Sequence, residues 1–499
     1  MNGWRNRNRN RSDSRVAVVP LTADAKDERP EQKCQERTVY VKTVDQHASD
    51  ILSVIGPMSP RRTALREAHG CVLAADVRAT VAVPGFDNSA MDGYAARAAE
   101  VAAASEANPV TLAVSSEIMA GPVRPEPLVP GTVARIMTGA PLPEGADTIV
   151  QLEWTDGGTE SVRIHQAPRR GLHIRRAGED IAPGNLVLAA GTVLGSAQIG
   201  LLAAVNIARP PVHPRPRVAV LSTGSELVEV GAPLGPGQIV DSNSHAIAAA
   251  AHEAGAIVRR FAGVSDDPDA FADAFEQVLK DADVVITTGG ISVGARDVVK
   301  EVLSKSGEIR FERIAMQPGK PQGFGVVGGV PVFTLPGNPV SALVSFELFV
   351  RPALRRMRGL PASVTSPGSA PFSETAAEGQ GAAAIWNTLA VKVGEVVQSQ
   401  PGKRTFPRVR LERDAGGELV ATYAGGQGAH QMSGLASAHA LLVVPEEVVE
   451  VSPGTVLPAL LLAEPEWAGP QAPASTASTA SAASAGSAGS ALTGGTAGE

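Results

Sequence analysis

The chain has 499 residues, 43% hydrophobic and 19% charged, with a formal net charge of -7, a length that accommodates roughly two to four domains. The negative balance argues against a nucleic-acid coat or a polybasic membrane anchor, and no apolar run in the sequence is long enough to span a bilayer, so neither nucleic acid nor membrane is an expected partner. Aromatics are only 4%, which leaves Val, Ala, Leu and Ile to build the cores. The two cysteines, Cys34 and Cys71, form no CxxC pair and no metal-ligand spacing. That usage fits a reducing cytoplasm without a structural disulfide.

Residues 1–45 are rich in Arg, Asn, Asp and Gln and read as a disordered tail. The basic start lacks a following hydrophobic region, so it is not a secretory signal; a transit peptide stays open, and a solvated tail is the reading the composition favours. Residues 46–70 read as helix, with Val54, Leu65 and Ala68 facing a core and Pro57 and Pro60 breaking the run. Short strand-like runs separated by Pro and Gly fill 71–173: VTLAVSSEIM, GTVARIMTGA and ADTIVQLEW. The pattern returns to helix from Ser196 to Val205, so 174–206 joins 46–70 as a helical linker part.

From Arg217 the pattern becomes strand, loop, helix, repeated. RVAVLSTG is a strand, SNSHAIAAAAHEAGA a capped helix ending at Gly255, and residues from Ile257 to Phe261 a second strand. DDPDAFADAFEQVLKDA is a helix, DVVITTGG a third strand, RDVVKEVL a short helix, and PVFTLPGNP ends a further strand before the helix VSALVSFELFV. Apolar strands alternating with helices predict a mostly parallel, doubly wound α/β domain over 207–358, covered on both faces. Short strands return over 359–465 as a small C-terminal β-domain, and 466–499 is an Ala/Ser/Gly-rich tail expected to be disordered. The fold class is thus multidomain, α/β plus β, with no repeat of about 20–50 residues.

In open α/β sheets ligands sit beyond the carboxyl ends of the strands. Four loops of the α/β domain end there: STGSEL (222–227), VSDDPD (264–269), TTGGISVGARD (287–297) and LPGNP (335–339). They would bring Glu226, Asp266 and Asp297 beside the glycine-rich backbone of Gly289, Gly290, Gly294 and Gly337. Such turns favour a phosphate or another oxyanion, and carboxylates beside phosphate point to Mg²⁺. Plain readings stand next to these. Gly289 and Gly290 make a tight turn, Asp297 caps a helix, and Glu226 is solvated. Asp267 before Pro268 is a good N-cap, which leaves Asp266 spare. No Gly-Lys-Ser/Thr follows TTGGISVG, so it is not a P-loop. Arg313 and Lys320, around QPGKPQGFG, either hold an oxyanion or are solvated cations.

Thr138 and Gly139 end a strand in RIMTGAPLPEGAD, which spacing alone reads as a turn. In FDNSAMDGYA, Asp87, Asn88 and Ser89 suit an Asx turn, with Phe86, Met91 and Tyr94 packed beneath; spacing does not aim Asp87 at a pocket. The nine histidines show no HExxH or related zinc spacing.

FDNSAMDGYA, RIMTGAPLPEGAD, STGSEL, TTGGISVGARD, QPGKPQGFG and LPGNPVSA, in this order, closely resemble the molybdopterin molybdenumtransferases of bacterial molybdenum-cofactor synthesis, relatives of the C-terminal domain of gephyrin. The resemblance runs from about Asp45 to Leu462. It implies an elongated four-part protomer in a homodimer, with a molybdopterin-binding α/β domain. It implies an enzyme that takes adenylylated molybdopterin and molybdate, cleaves the adenylate in a Mg²⁺-dependent step and inserts molybdenum into the dithiolene. A molybdopterin adenylyltransferase would be its upstream partner. The cleft would lie between the α/β domain of one protomer and the FDNSAMDGYA domain of its partner, with Asp87 reaching across.

Carried over by motif, Asp87, Thr138 and Asp297 become catalytic candidates and Glu226 and Asp266 metal ligands. Ser222, Gly224, Thr288, Gly289, Gly290, Ser292, Gly294, Arg313, Lys320, Pro336, Gly337, Asn338 and Pro339 become substrate-binding candidates. Where some members have lysines this chain has Arg313 and Gln317; the second exchange loses a charge and leaves Lys320 more of the attraction for molybdate. Two other readings remain: an adenylyltransferase-like or nucleotide-hydrolysing enzyme sharing the α/β domain, and a gephyrin-like scaffold. The first has no counterpart of the FDNSAMDGYA domain, and the tails show no clear binding motif for the second.

Overall fold

The structure, a computed structural model, describes residues 41–122, 124–264, 266–291, 297–305, 307–362, 386 and 388–462. Most of the N-terminal tail, the C-terminal tail, Cys34, Ser292 and Gly294 lie outside the described residues. The expected tail to residue 45 ends earlier, because Lys42 bridges Ile314 and a helix begins at Val44.

That helix spans Val44–Val54 and opens on a capping box: Thr43 Oγ1 accepts the Gln46 N–H, and the Gln46 side chain accepts the Thr43 N–H, each at 3.1 Å. It is shorter than the 46–70 helix expected from sequence. After Val54 the chain is extended through Pro57 and Pro60, pairs as Arg61–Arg62 with Pro211–His213, and makes only a 3-10 turn at Leu65–Glu67. Proline denies the helix its backbone donors there. Val54 and Ala68 are buried as expected. A second helix covers Ser196–Ala204.

The second domain is β as expected. Its five-stranded sheet has the order Thr148–Gln151, Gly93–Ala96, Thr132–Ile136, Val110–Ile118, Ser161–Ile164. Tyr94 is fully buried in it and donates its hydroxyl to the Gly158 carbonyl at 2.9 Å. Phe86 departs from expectation and is 50% exposed. The short strand Asn88–Ser89 pairs with Ile174–Arg175 and buries the two polar residues instead, which leaves Phe86 outside.

The α/β domain holds a six-stranded sheet. Its strands are β1 Arg217–Thr223, β2 Ile257–Val264, β3 Val284–Thr288, β4 Ile309–Arg313, β5 Pro321–Val327 and β6 Val330–Leu335. Their spatial order is β2-β1-β3-β6-β5-β4. The first four in that order run parallel, and β5 runs antiparallel to both β6 and β4. Central strands β1, β3 and β6 are buried nearly throughout, as continuous apolar runs require in a sheet covered on both faces. Helices Val44–Val54, Asn243–Glu253 and the run from Pro339 to Met357 pack on one face around Val218, Val220 and Ile286. Pro268–Leu279 and Val298–Lys305 pack on the other around Leu221, Val285 and Val332. The Asp267 carboxylate accepts the Ala270 N–H at 2.9 Å, the N-cap its Asp-Pro sequence announces.

C-terminally, five strands between Thr388 and Leu461 close into a barrel. The barrel domain docks on the α/β domain through Arg404–Thr405, which pairs in parallel with Met316–Gln317. Arg404 also forks onto Asp45, with both N–O distances 2.9 Å, and so ties the barrel domain to the first helix.

Candidate functional site

The register of the sheet puts the ends of the parallel strands on one rim. Ser222 aligns with Thr288, and Thr288 with Leu335, so STGSEL, TTGG and LPGNP leave the sheet side by side. Thr223 aligns with Val264, which places VSDDPD next to them.

Hydrogen bonds join the loops. Asp266 accepts the Ser225 N–H at 2.6 Å, and the Gly289 N–H donates to the Leu335 carbonyl at 3.2 Å. The Asn243 side chain donates to the Gly337 carbonyl at 2.7 Å. A Cβ on Gly337 would lie 3.5 Å from the Gly289 Cα, an ordinary contact that shows the two loops touching. Pro336 is buried while Gly337 and Asn338 are exposed at the start of the helix that Pro339 opens.

Glu226 folds its carboxylate back over Gly224. A Cβ at Gly224 would lie 2.7 Å from the Glu226 Oε2, and the φ of +150° there is one that glycine adopts readily. The turn that carries Glu226 thus lies beside Asp266, joined to it through the Ser225 N–H. One Asp266 oxygen is engaged by Ser225, and both residues are exposed. Two carboxylates on a solvent-facing turn suit a Mg²⁺ ion that keeps water and phosphate as its other ligands. Among the described residues no group of three or more His, Cys, Asp or Glu could form an all-protein cage. Asp297 lies at the start of Val298–Lys305, where its carbonyl accepts the Glu301 N–H at 2.8 Å.

Ser222 is placed differently from a ligand-facing hydroxyl. It is fully buried and donates to Asp241 Oδ2 at 2.5 Å. Asp241, 2% exposed, also accepts the Ser244 hydroxyl at 2.5 Å and the Ser244 N–H at 3.0 Å. Burial pulls the Asp241 carboxyl upward, but these donors, helped by Arg260, hold it below its ordinary value. The charge is internal support: the Asp241 N–H also donates to the Val228 carbonyl, fastening the excursion that carries Glu226.

Arg313 ends β4 opposite Pro321, and the Lys320 carbonyl accepts the Ile314 N–H at 2.8 Å. Both cations are exposed. They stand on the same rim toward its far end: Arg313, ending β4, is four strand spacings from β1 and Lys320, leading into β5, is three, or about 19 Å and about 14 Å across the sheet. The rim thus has an acidic end and a basic end with glycine-rich backbone between.

The second domain carries its own cluster. The Asp87 carboxylate accepts the Ala177 N–H at 2.8 Å and the Arg176 guanidinium at 2.5 Å. The Ala177 N–H first, and then Arg176 against some desolvation, hold its carboxyl below the usual range. Asp87 is thereby kept ionised and weakly basic. Thr138 donates both its N–H, at 2.7 Å, and its hydroxyl, at 2.8 Å, to Asp92 Oδ1, and those two bonds lower the Asp92 carboxyl. The two carboxylates are tied together through the Gly139 N–H, which donates to the Ser89 carbonyl at 2.8 Å. Asp92, Arg176 and Asp241 are not among the residues the sequence singles out. Asp92 lies within FDNSAMDGYA, a signal that was available; Arg176 and Asp241 are found only through their contacts.

Comparison with known proteins covers most of the chain. Residues 42–206 match the family model described as MoeA N-terminal region (domain I and II), 219–356 the probable molybdopterin binding domain, and 390–462 the MoeA C-terminal region (domain IV). The protein Molybdopterin molybdenumtransferase 2 of Mycobacterium tuberculosis is 45% identical over 423 residues, covering 84% of this chain and 98% of its own length. Molybdopterin molybdenumtransferase 1 of the same organism is 38% identical over 445 residues, covering 85% and 100%. A solved molybdopterin biosynthesis MoeA protein from Pyrococcus horikosii superposes with a TM-score of 0.65 at 32% identity, covering 85% of this chain and 99% of that one.

Proposed function

The chain belongs to the molybdopterin molybdenumtransferase family, and from that premise we propose how its residues carry out molybdenum insertion. The substrates are adenylylated molybdopterin and molybdate, the products AMP and molybdenum cofactor, and the working unit is a cytoplasmic homodimer supplied by a molybdopterin adenylyltransferase. The observation that carries the reading is the polarity of the rim: Glu226 and Asp266 on two loops joined by a hydrogen bond, Lys320 and Arg313 three and four strand spacings away, about 14–19 Å, and glycine-rich loops between.

Each end suits one part of a long polyanion. Glu226 and Asp266 hold Mg²⁺ at the acidic end, and the ion supplies charge neutralisation to the pyrophosphate linking adenylate to molybdopterin. The N–H groups of Gly290, Gly337 and Asn338, beyond the buried end of β3 at Thr288, bind phosphate oxygens. Lys320 and Arg313 draw molybdate to the basic end, where Gln317 adds hydrogen bonding without charge. Asp297, at the start of the helix that packs beside Gly290, stands on the phosphate side. Ser222 serves through Asp241, keeping the Glu226 turn in place.

Asp87 and Thr138 come from the partner protomer's second domain. Asp87, held ionised by Ala177 and Arg176, orients an attacking water by accepting its hydrogen bond; its lowered carboxyl disfavours the alternative of a general base. Thr138 and Asp92 fix the neighbouring loop.

Incubating the purified protein with adenylylated molybdopterin, molybdate and Mg²⁺ tests this. AMP release that needs Mg²⁺ and disappears in Glu226→Ala is expected. AMP release unchanged by that substitution, or consumption of ATP with unmodified molybdopterin instead, would overturn the assignment.

A further inference from the structure

We propose that Gln322 is a positioning residue that locks the Lys320 loop against the helix opened by LPGNP, and thereby sets the affinity for the oxyanion substrate, molybdate. The inference rests on the reading above that Lys320 holds that anion.

Gln322 follows the loop at the second position of β5 and is 2% exposed. Its amide nitrogen donates to the Gly319 carbonyl and to the Ser345 hydroxyl, each at 2.6 Å. Ser345 in turn donates to the Ser341 carbonyl, one helical turn back, at 2.7 Å. The direction of every bond is thus fixed. The single hydroxyl proton of Ser345 is used on Ser341, so Ser345 must accept from Gln322. A flipped amide would set an acceptor against the Gly319 carbonyl. The carboxamide therefore has one orientation.

Gly319 completes the lock. Its φ is +104°, and a Cβ there would lie 2.9 Å from the Ser345 hydroxyl and 3.0 Å from the Met316 side chain. The loop is pressed against the helix Pro339–Ser345 with no room for a side chain. Backbone bonds secure its other parts: the Ala315 N–H to the Lys42 carbonyl, the Phe406 N–H to the Gln317 carbonyl, and the Ile314 N–H to the Lys320 carbonyl, each at 2.8 Å. The Gly319 carbonyl, immediately before Lys320, is held by Gln322. One side chain hence couples QPGKP to the element that begins with LPGNP. A long lysine binds an anion well when its backbone does not have to be ordered on binding, and that order is what Gln322 supplies.

The test varies molybdate at fixed adenylylated molybdopterin, with Gln322→Met, Lys320→Ala and the double variant of the full chain. Methionine keeps the length and removes the donor. Gln322→Met should raise KM for molybdate on the order of tenfold with kcat near native, and should add little to Lys320→Ala in the double variant. If Gln322→Met does not fold, Ser345→Ala, which removes the acceptor steering the carboxamide, carries the same expectation. A raised KM in Lys320→Ala beside a native KM in folded Gln322→Met or Ser345→Ala would overturn the inference. A native KM in Lys320→Ala would instead overturn the reading of Lys320 on which it rests.

Discussion

Asp266 accepts the backbone N–H of Ser225 at 2.6 Å, so the loop after β2 is fastened to the turn that carries Glu226. A residue picked for its charge also holds its fellow acid in place. The two roles separate by substitution. Asp266→Asn retains an oxygen for Ser225 but halves the carboxylate charge of the turn. It should melt close to the native protein while raising the Mg²⁺ concentration for half-maximal AMP release by about 10–100-fold. Asp266→Ala should lose the tether as well and show the larger effect. A Mg²⁺ titration of the three proteins decides it.

Asp87 is held ionised by Ala177 and Arg176. Asp87→Asn should fold and lower kcat by roughly 100-fold, the scale of removing one preorganised electrostatic contact. Arg176→Ala leaves the carboxylate but removes one of the groups that lower it. Since the ionised form is the active one, activity is lost as pH falls through the Asp87 pKa. Raising that pKa moves the acid limb of the rate profile to higher pH. A limb unmoved in Arg176→Ala would detach Asp87 from the pH dependence.

Thr138 gives Asp92 two donors, and only one belongs to the side chain. Thr138→Ser preserves both and should keep near-native kcat. Thr138→Val preserves shape but loses the hydroxyl, and kcat should fall several-fold, as loss of one charge-assisted bond implies. Equal rates in the two variants would show that the hydroxyl is idle.

Glu312 joins the N-terminal segment to β4. The His47 ring, 3.2 Å away, and then the Lys42 ammonium at 2.8 Å outweigh partial burial and hold its carboxyl at about 2, against 4.5 for the free group. A folded value below the unfolded one stabilises fully above pH 4.5, and that stability is lost as pH falls through 2. With solvent screening the amount is on the order of 1 kcal/mol. Glu312→Gln should flatten the fall of the urea midpoint across this window; an unchanged fall would assign it to other carboxylates.

The α/β strands are legible in the sequence because β1, β3 and β6 are unbroken apolar runs ending in Gly or Pro turns, and strand order then delivers the rim. The antiparallel strands β4 and β5 are not legible. IRFER carries three charges and PQGFGVV opens on proline with two glycines, a composition that local pattern reads as loop. The helix after Asp45 is overextended because apolar spacing persists past Val54 where the prolines have already ended it. Site acids are legible where they share a motif, as Glu226 does. Their partners are not: Arg176 is 89 residues from Asp87 and 41 separate Ser225 from Asp266. Those pairs exist only once the chain is folded.

Sharing of the cleft between protomers is decided by mixing two inactive variants, Asp87→Asn and Glu226→Ala, and letting the subunits exchange. If Asp87 of one protomer serves the rim of its partner, each mixed dimer contains one cleft with both residues intact, and molybdenum insertion returns. If each protomer builds its own site, every cleft stays defective. Mixed dimers, verified by differential tags, that remain as inactive as the parents would contradict the account.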